Sequence, residues 1–226
     1  MAGNPVLLLH GFTTSAQRTW HEPGWVDLLS EAGRDVIAPD LLGHGNADKP
    51  HDPEAYANLE ADIVAALPDG PVDAIGYSAG AGMLLVMAAA NPDRFGKIVL
   101  GGIGESVLRE REGNPILDAI EGRASADNMV AEHFRSMATS DGNDPQALAA
   151  FLRRNQRKLD ANDLGKIMVP ALIVIGDKDF AGPGEPLQEA LGDAQLLTLR
   201  GVDHFGLPKA FPFLEQALDF LGAAPF

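Results

Sequence analysis

Val72-Asp73-Ala74-Ile75-Gly76-Tyr77-Ser78-Ala79-Gly80 decides the fold of this chain. Val72 to Ile75 reads as a short apolar strand, and the small and apolar residues from Ala81 to Ala90 read as a helix. A Gly-x-Ser-x-Gly at a strand-to-helix junction makes a turn so tight that the serine is forced into a strained backbone conformation. The flanking glycines keep side chains from colliding with it. The strain lifts the Ser78 hydroxyl clear of the sheet. It also leaves the Ala79 amide at a helix N-terminus, where it can meet developing negative charge. So short a pattern also arises as an incidental glycine-rich turn, and its weight comes from its surroundings.

On either side, short apolar runs alternate with longer helical stretches. Val6 to Leu9 leads, followed by a loop and a helix around Trp25 to Ala32. Asp35 to Ala38 is the next strand, with a helix around Tyr56 to Leu67 behind it. After the central stretch come strands at Ile98 to Leu100, Ala171 to Ile175 and Gln195 to Leu199, and an amphipathic helix from Phe211 to Leu221. Continuous apolar strands separated by helices predict an α/β fold with a mainly parallel sheet of about six strands, helices covering both faces. Gly104 to Lys166 breaks this rhythm, being rich in Arg, Glu, Asp and Ala and lacking a strand pattern. Helices fit within Ile116 to Glu121, Ser125 to Ala138 and Pro145 to Leu159. The expected division is a core of residues 1–103 and 167–226, with residues 104–166 inserted as a small helical cap. A plain helical crossover is the alternative.

Composition narrows the function. The chain has 226 residues, 46% hydrophobic and 22% charged, as expected of one soluble domain. Its 17 basic and 32 acidic residues leave a net charge of −15, which repels nucleic acid phosphates and anionic membranes. Neither is an expected partner. Cysteine is absent, which excludes disulfides and thiol chemistry and fits a reducing, cytoplasmic setting. Met1-Ala2-Gly3-Asn4-Pro5 carries no basic region before its apolar run, and no apolar stretch is long enough to cross a bilayer. No His-Glu-x-x-His, Gly-x-Gly-x-x-Gly or Walker lysine stands in the right context, so neither a metal nor a cofactor is expected.

A serine nucleophile needs a base, and the base an orienting acid. Gly201-Val202-Asp203-His204-Phe205 puts a histidine in the loop after the last strand. Gly176-Asp177-Lys178-Asp179 follows the penultimate strand and offers acids at a turn. All three loops lie at the carboxyl ends of parallel strands, where open sheets gather their ligands.

With these residues together, the chain resembles the α/β-hydrolase superfamily over almost its whole length. His10-Gly11-Phe12 looks like that family's oxyanion loop, and Asp40-Leu41-Leu42-Gly43-His44-Gly45 like its loop after the next strand. Asn91-Pro92-Asp93-Arg94-Phe95 followed by Ile98-Val99-Leu100 resembles the stretch after the elbow helix. The resemblance implies Ser78 as nucleophile, His204 as base and later acid, and Asp179 as the acid that fixes the imidazole. Asp179 is preferred to Asp177 because the family's acid usually closes the Gly-x-x-Asp turn. Asp177 and Glu105 remain alternative acids, whereas Asp203 adjoins His204 and its side chain should point away. The amides of Phe12 and Ala79 would hold the oxyanion. His10 and His44 read as structural hydrogen-bonders, and His21, His51 and His133 as exposed. Trp20, Trp25, Met83 and Phe205 could line a pocket, though large apolar residues more often belong to a core.

One departure from the family pattern is that two antiparallel strands before the oxyanion strand are missing. Asp35 to Ala38 then becomes an exposed edge, across which two copies could pair as a homodimer. Three readings follow from the resemblance. The first is hydrolysis of a small carboxylic ester; the second is cleavage of a carbon–carbon, lactone or amide bond with the same residues. The third is a ligand-binding protein that does not use them. The expected partner in each is a small molecule, an acyl compound in the first.

Overall fold

The computed structural model describes residues 3–109, 113–124, 128–140 and 142–224. Six strands form one sheet: β1 (Val6–Leu9), β2 (Val36–Ile37), β3 (Val72–Tyr77), β4 (Phe95–Gly101), β5 (Ala171–Gly176) and β6 (Ala194–Leu199). Their order is β2-β1-β3-β4-β5-β6, and every neighbouring pair is parallel. The chain runs outward from β1 to β2 and then returns to build the rest on the other side. That reversal opens a crevice at the carboxyl ends of β1 and β3. As the sequence predicts, the Asp35 to Ala38 segment supplies the edge, though only Val36 and Ile37 are paired.

Strand alternation divides the core into two layers. Leu7, Leu9, Ala74, Ile98, Leu100 and Ile173 face one cluster, while Val6, Leu8, Ile75, Val99, Leu172 and Val174 face the other. The helices are α1 (Trp25–Glu31), α2 (Leu59–Ala66), α3 (Ala79–Ala90), α4 (Pro115–Ile120), α5 (Met129–Ala138), α6 (Pro145–Arg153), α7 (Ala161–Leu164), α8 (Glu185–Ala190) and α9 (Phe211–Leu221). α1 and α9 pack Trp25, Leu29, Phe213 and Leu218 on the second layer. α2, α3, α5 and α6 pack Leu59, Leu84, Phe134 and Phe151 on the first.

Among the described residues, four α-helices, α4 to α7, lie between β4 and β5. Their starts are marked by side chains that accept the first free amides: Asn114, Asn128, Asp144 and Asp160. Pro115 and Pro145 then occupy a first-turn position, where no amide hydrogen is needed. α6 ends at Arg153, short of the expected Leu159, because Arg154 turns extended and its buried guanidinium donates to the Phe151 carbonyl at 2.7 Å. α5 begins at Met129; the first residues of the helix expected from Ser125 lie outside the described residues. The helix expected around Tyr56 to Leu67 begins instead at Leu59. Asp52 caps a single 3-10 turn over Pro53–Tyr56, and Tyr56 is then anchored by its hydroxyl to the carbonyls of Pro50 and Ala147. α7 and α8 are too short to carry a periodic signal and were not foreseen.

A buried ion pair fastens the ends of the chain to the sheet. The Arg34 guanidinium donates to Asp73 of β3, to the Asn4 carbonyl at 2.7 Å and to the Leu221 carbonyl at 3.0 Å. Asp73 also accepts the Lys97 amide at 3.0 Å and the Asn4 carboxamide at 3.1 Å. Asp73→Ala leaves the buried guanidinium without its counter-charge, and we expect a loss of about 3–5 kcal/mol of stability. Urea unfolding at pH 7 measures it, and a loss below about 1 kcal/mol would contradict this account.

Candidate active site

The elbow is built by close backbone approach. Ser78 sits at φ 53°, ψ −114° between β3 and α3, its amide donating to Gly101 at 2.8 Å. A side chain on Gly80 would collide with the carbonyls of Leu9 and His10, and one on Gly76 would come within 2.6 Å of the Ala81 Cα. Glycine at position 80 lets α3 lie against the end of β1, and glycine at position 76 lets α3 start close over β3. A non-glycine residue in such a conformation costs about 1–3 kcal/mol and persists only where its surroundings over-determine it.

The structure brings the three sequence-predicted side chains together. His204 is buried in the loop after β6, its Nε2 2.9 Å from Ser78 Oγ. Its Nδ1 lies 2.9 and 3.0 Å from the two carboxylate oxygens of Asp179. Donation from Nδ1–H to the carboxylate leaves Nε2 with a lone pair that can accept a hydrogen bond from the Ser78 hydroxyl. Asp179 is itself buried and accepts the Ala181 amide at 2.8 Å. The other acids are engaged elsewhere. Asp177 accepts the Gly201 amide at 2.7 Å, Asp203 accepts the Gly206 amide at 2.8 Å, and Glu105 pairs with Arg109. Of these four, Asp179 is the one bonded to the imidazole.

Tyr77 and Phe180 both pack near that imidazole. The Tyr77 hydroxyl donates to the His204 carbonyl at 2.7 Å, and its ring lies 5.3 Å from the imidazole. Burial pushes the Tyr77 phenol above its ordinary range, so it stays a neutral donor. The Phe180 ring lies 4.2 Å from the imidazole. Sequence reasoning missed both residues. Tyr77 had a signal, as it lies inside the serine pentapeptide; Phe180 had only its place beside Asp179.

The His10-Gly11-Phe12 loop runs beside the elbow, where a side chain on Gly11 would meet the Tyr77 ring at 2.8 Å and Ser78 Cβ at 3.4 Å. Phe12 and Ser78 line one cavity of about 190 Å³ with Thr13, Phe134, Met137, His204 and Phe205, and with the exposed Arg18 and Lys209. Ala79 follows as the first residue of α3. Trp20, Trp25 and Met83 lie fully in the core, so of the apolar pocket candidates only Phe205 reaches the cavity. A larger cavity of about 490 Å³, between α4 and α6, lies away from these residues.

His10 and His44 are buried behind Phe12. His10 donates from Nδ1 to the Gly11 carbonyl at 2.8 Å and accepts the Leu41 amide on Nε2 at 2.9 Å, a pairing that only the neutral ring can make. Burial lowers its pKa from 6.5 to about 4, and burial followed by the nearness of His10 lowers His44 to about 3. His21, His51 and His133 are exposed, as expected.

Below pH 6.5 the unfolded chain takes up protons that these folded imidazoles refuse, so their contribution is present above pH 6.5 and is lost as pH falls toward 4. For His10 alone this amounts to about 2 kcal/mol between pH 7 and 5. Urea midpoints across that range should fall, and His10→Gln should flatten the slope. An unchanged slope in the variant would contradict a neutral His10.

The model of the alpha/beta hydrolase family matches residues 6–224. A pimeloyl-[acyl-carrier protein] methyl ester esterase of Neisseria meningitidis is 30% identical over 82% of this chain, which spans 65% of that protein's length. A 2-hydroxy-6-oxo-2,4-heptadienoate hydrolase of Pseudomonas putida is 30% identical over 97% of this chain and 87% of its own. The enol-lactonase of Burkholderia xenovorans superimposes with a TM-score of 0.76 over 97% of this chain and 92% of its own, at 20% identity, a likeness of fold. The chain belongs to the alpha/beta hydrolase family.

Proposed function

We propose that this protein is a serine hydrolase that cleaves small carboxylic esters through an acyl-enzyme. The observation that carries the reading is the continuous hydrogen-bonded line from Ser78 Oγ through His204 to Asp179. His204 Nε2 takes the Ser78 proton as Oγ attacks the ester carbonyl. The amides of Phe12 and Ala79 receive the oxyanion, and the imidazolium returns its proton to the departing alcohol. Water, deprotonated by the same Nε2, then attacks the acyl-enzyme; its proton passes to Ser78 as the acid leaves. Asp179 keeps the imidazole in the required tautomer and stabilises its charged form.

The cavity favours small acids. Ligand pockets for drug-sized molecules are typically about 300–1,000 Å³, and this one is about 190 Å³. The helices between β4 and β5 act as its cap, contributing Phe134 and Met137 to the wall. A named esterase among the relatives supports the same reaction class.

A second reading, carbon–carbon bond hydrolysis, has its own support. The relative that spans 97% of this chain is a dienoate hydrolase by name, and dienoates carry a carboxylate. Lys209 beside the cavity places positive charge there in a chain of net −15, which suits an anionic substrate. Product analysis separates the readings. An ester gives an acid and an alcohol, and a dienoate gives two carbon fragments.

On p-nitrophenyl esters, Ser78→Ala is expected to lower kcat about ten-thousand-fold or more. Wild-type turnover in that variant would remove the mechanism. Among wild-type substrates, acetate and butyrate esters should exceed a decanoate ester at least about tenfold in kcat/KM, as the cavity size requires. Equal rates across the series would show that the acyl group binds elsewhere.

A further inference from the structure

Two non-glycine residues among those described have positive φ: Ser78 at 53° and Thr13 at 62°. The first belongs to the elbow. The second follows Phe12 directly, and a β-branched residue in the left-handed region is a rarity that points to an imposed constraint.

The constraint is visible in the contacts. Thr13 is buried; its hydroxyl donates to the Phe12 carbonyl at 2.6 Å and lies 3.7 Å from the sulfur of Met137. Its own carbonyl accepts the Asn143 carboxamide at 3.0 Å. The same nitrogen of Asn143 donates to the Met137 carbonyl, at the end of α5, at 2.9 Å. Asn143 therefore ties the segment between α5 and α6 to the residue after Phe12. The Phe12 ring is gripped by the same helices, 5.7 Å from Phe151 of α6 and stacked on it, and 6.0 Å from Phe134 of α5.

We propose that Asn143 is a positioning residue for oxyanion stabilisation. It holds Thr13 in the left-handed conformation and so fixes the direction of the Phe12 amide, which makes the hole a joint product of the sheet and the inserted helices. The inference rests on the reading that Ser78 forms a tetrahedral intermediate whose oxygen meets that amide. Asn143 does not touch the substrate; it acts through Thr13. Once released, residue 13 is free to leave its strained conformation, and the Phe12 amide loses its fixed aim. Substrate binding elsewhere in the cavity is unaffected, so the loss falls on kcat.

The test compares Asn143→Ala with Ser140→Ala in the full chain. The Ser140 hydroxyl donates to the same Met137 carbonyl at 2.7 Å, so its removal loosens the same helix end without touching Thr13. Each variant is assayed for kcat and KM on a short p-nitrophenyl ester. Each is also tested for inhibition by a trifluoromethyl ketone, whose hemiketal oxygen occupies the oxyanion position.

Asn143→Ala is expected to lower kcat about 10- to 100-fold, with KM within about twofold, and to weaken the trifluoromethyl ketone by a similar factor. Ser140→Ala should leave both unchanged. Should Asn143→Ala fail to fold, Asn143→Leu, of similar shape but without a hydrogen to donate, takes its place. Unchanged kcat and ketone affinity in the Asn143 variant would overturn the proposal, as would an equal loss in Ser140→Ala. These outcomes are separable from failure of the hydrolase reading, in which Ser78→Ala would itself remain active.

Discussion

The close approach of α3 to the end of β1 is the constraint on which the rest of this molecule depends. A helix can lie there because Gly80 puts no side chain against the Leu9 and His10 carbonyls. With the helix so near, the chain must turn within one residue, and Ser78 takes the strained backbone that results. The hydroxyl then stands above the sheet, 2.9 Å from an imidazole that arrives from the far end of the sequence. Any larger residue at position 80 would push α3 outward, and the serine would relax away from His204. Strain at the elbow and reach to the imidazole are one property.

The sheet order converts that local geometry into a site. Loops after β1, β3, β5 and β6 all leave the same edge, so residues more than a hundred positions apart meet without long detours. Each loop is secured by its own polar contacts: His10 on the Leu41 amide, Asp177 on the Gly201 amide, and Tyr77 on the His204 carbonyl. These bonds fix the positions of the loops before any ligand arrives. Burial keeps His10 neutral, which preserves its acceptor nitrogen for Leu41.

How much of this was legible in the sequence depended on how local each signal is. The apolar strands and the strand–turn–helix around the serine pentapeptide depend on near neighbours, and they read correctly from the pattern alone. Asp179, favoured over Asp177 by its place in the Gly-x-x-Asp turn, is bonded to His204 in the fold. Boundaries failed where a side chain overrode periodicity. The buried Arg154 ends a helix that the pattern carried on to Leu159, and the turn capped by Asp52 and anchored by Tyr56 delays the start of another to Leu59. Thr13 and Asn143 left no trace, since a left-handed threonine and a carboxamide 130 positions away have no spacing in common. Phe134 and Met137 were equally silent, because amphipathic helix residues look the same whether they face a core or a cavity.

The central claim is that the Ser78 hydroxyl is made nucleophilic by His204. Labelling with a fluorophosphonate, read by intact mass and peptide mapping, tests it most directly, because the phosphonylation needs an activated serine and no knowledge of the substrate. The account predicts a single adduct on Ser78, formed at least about a hundredfold more slowly in His204→Ala. An unlabelled protein, an adduct on another residue, or equal rates in the two proteins would contradict it.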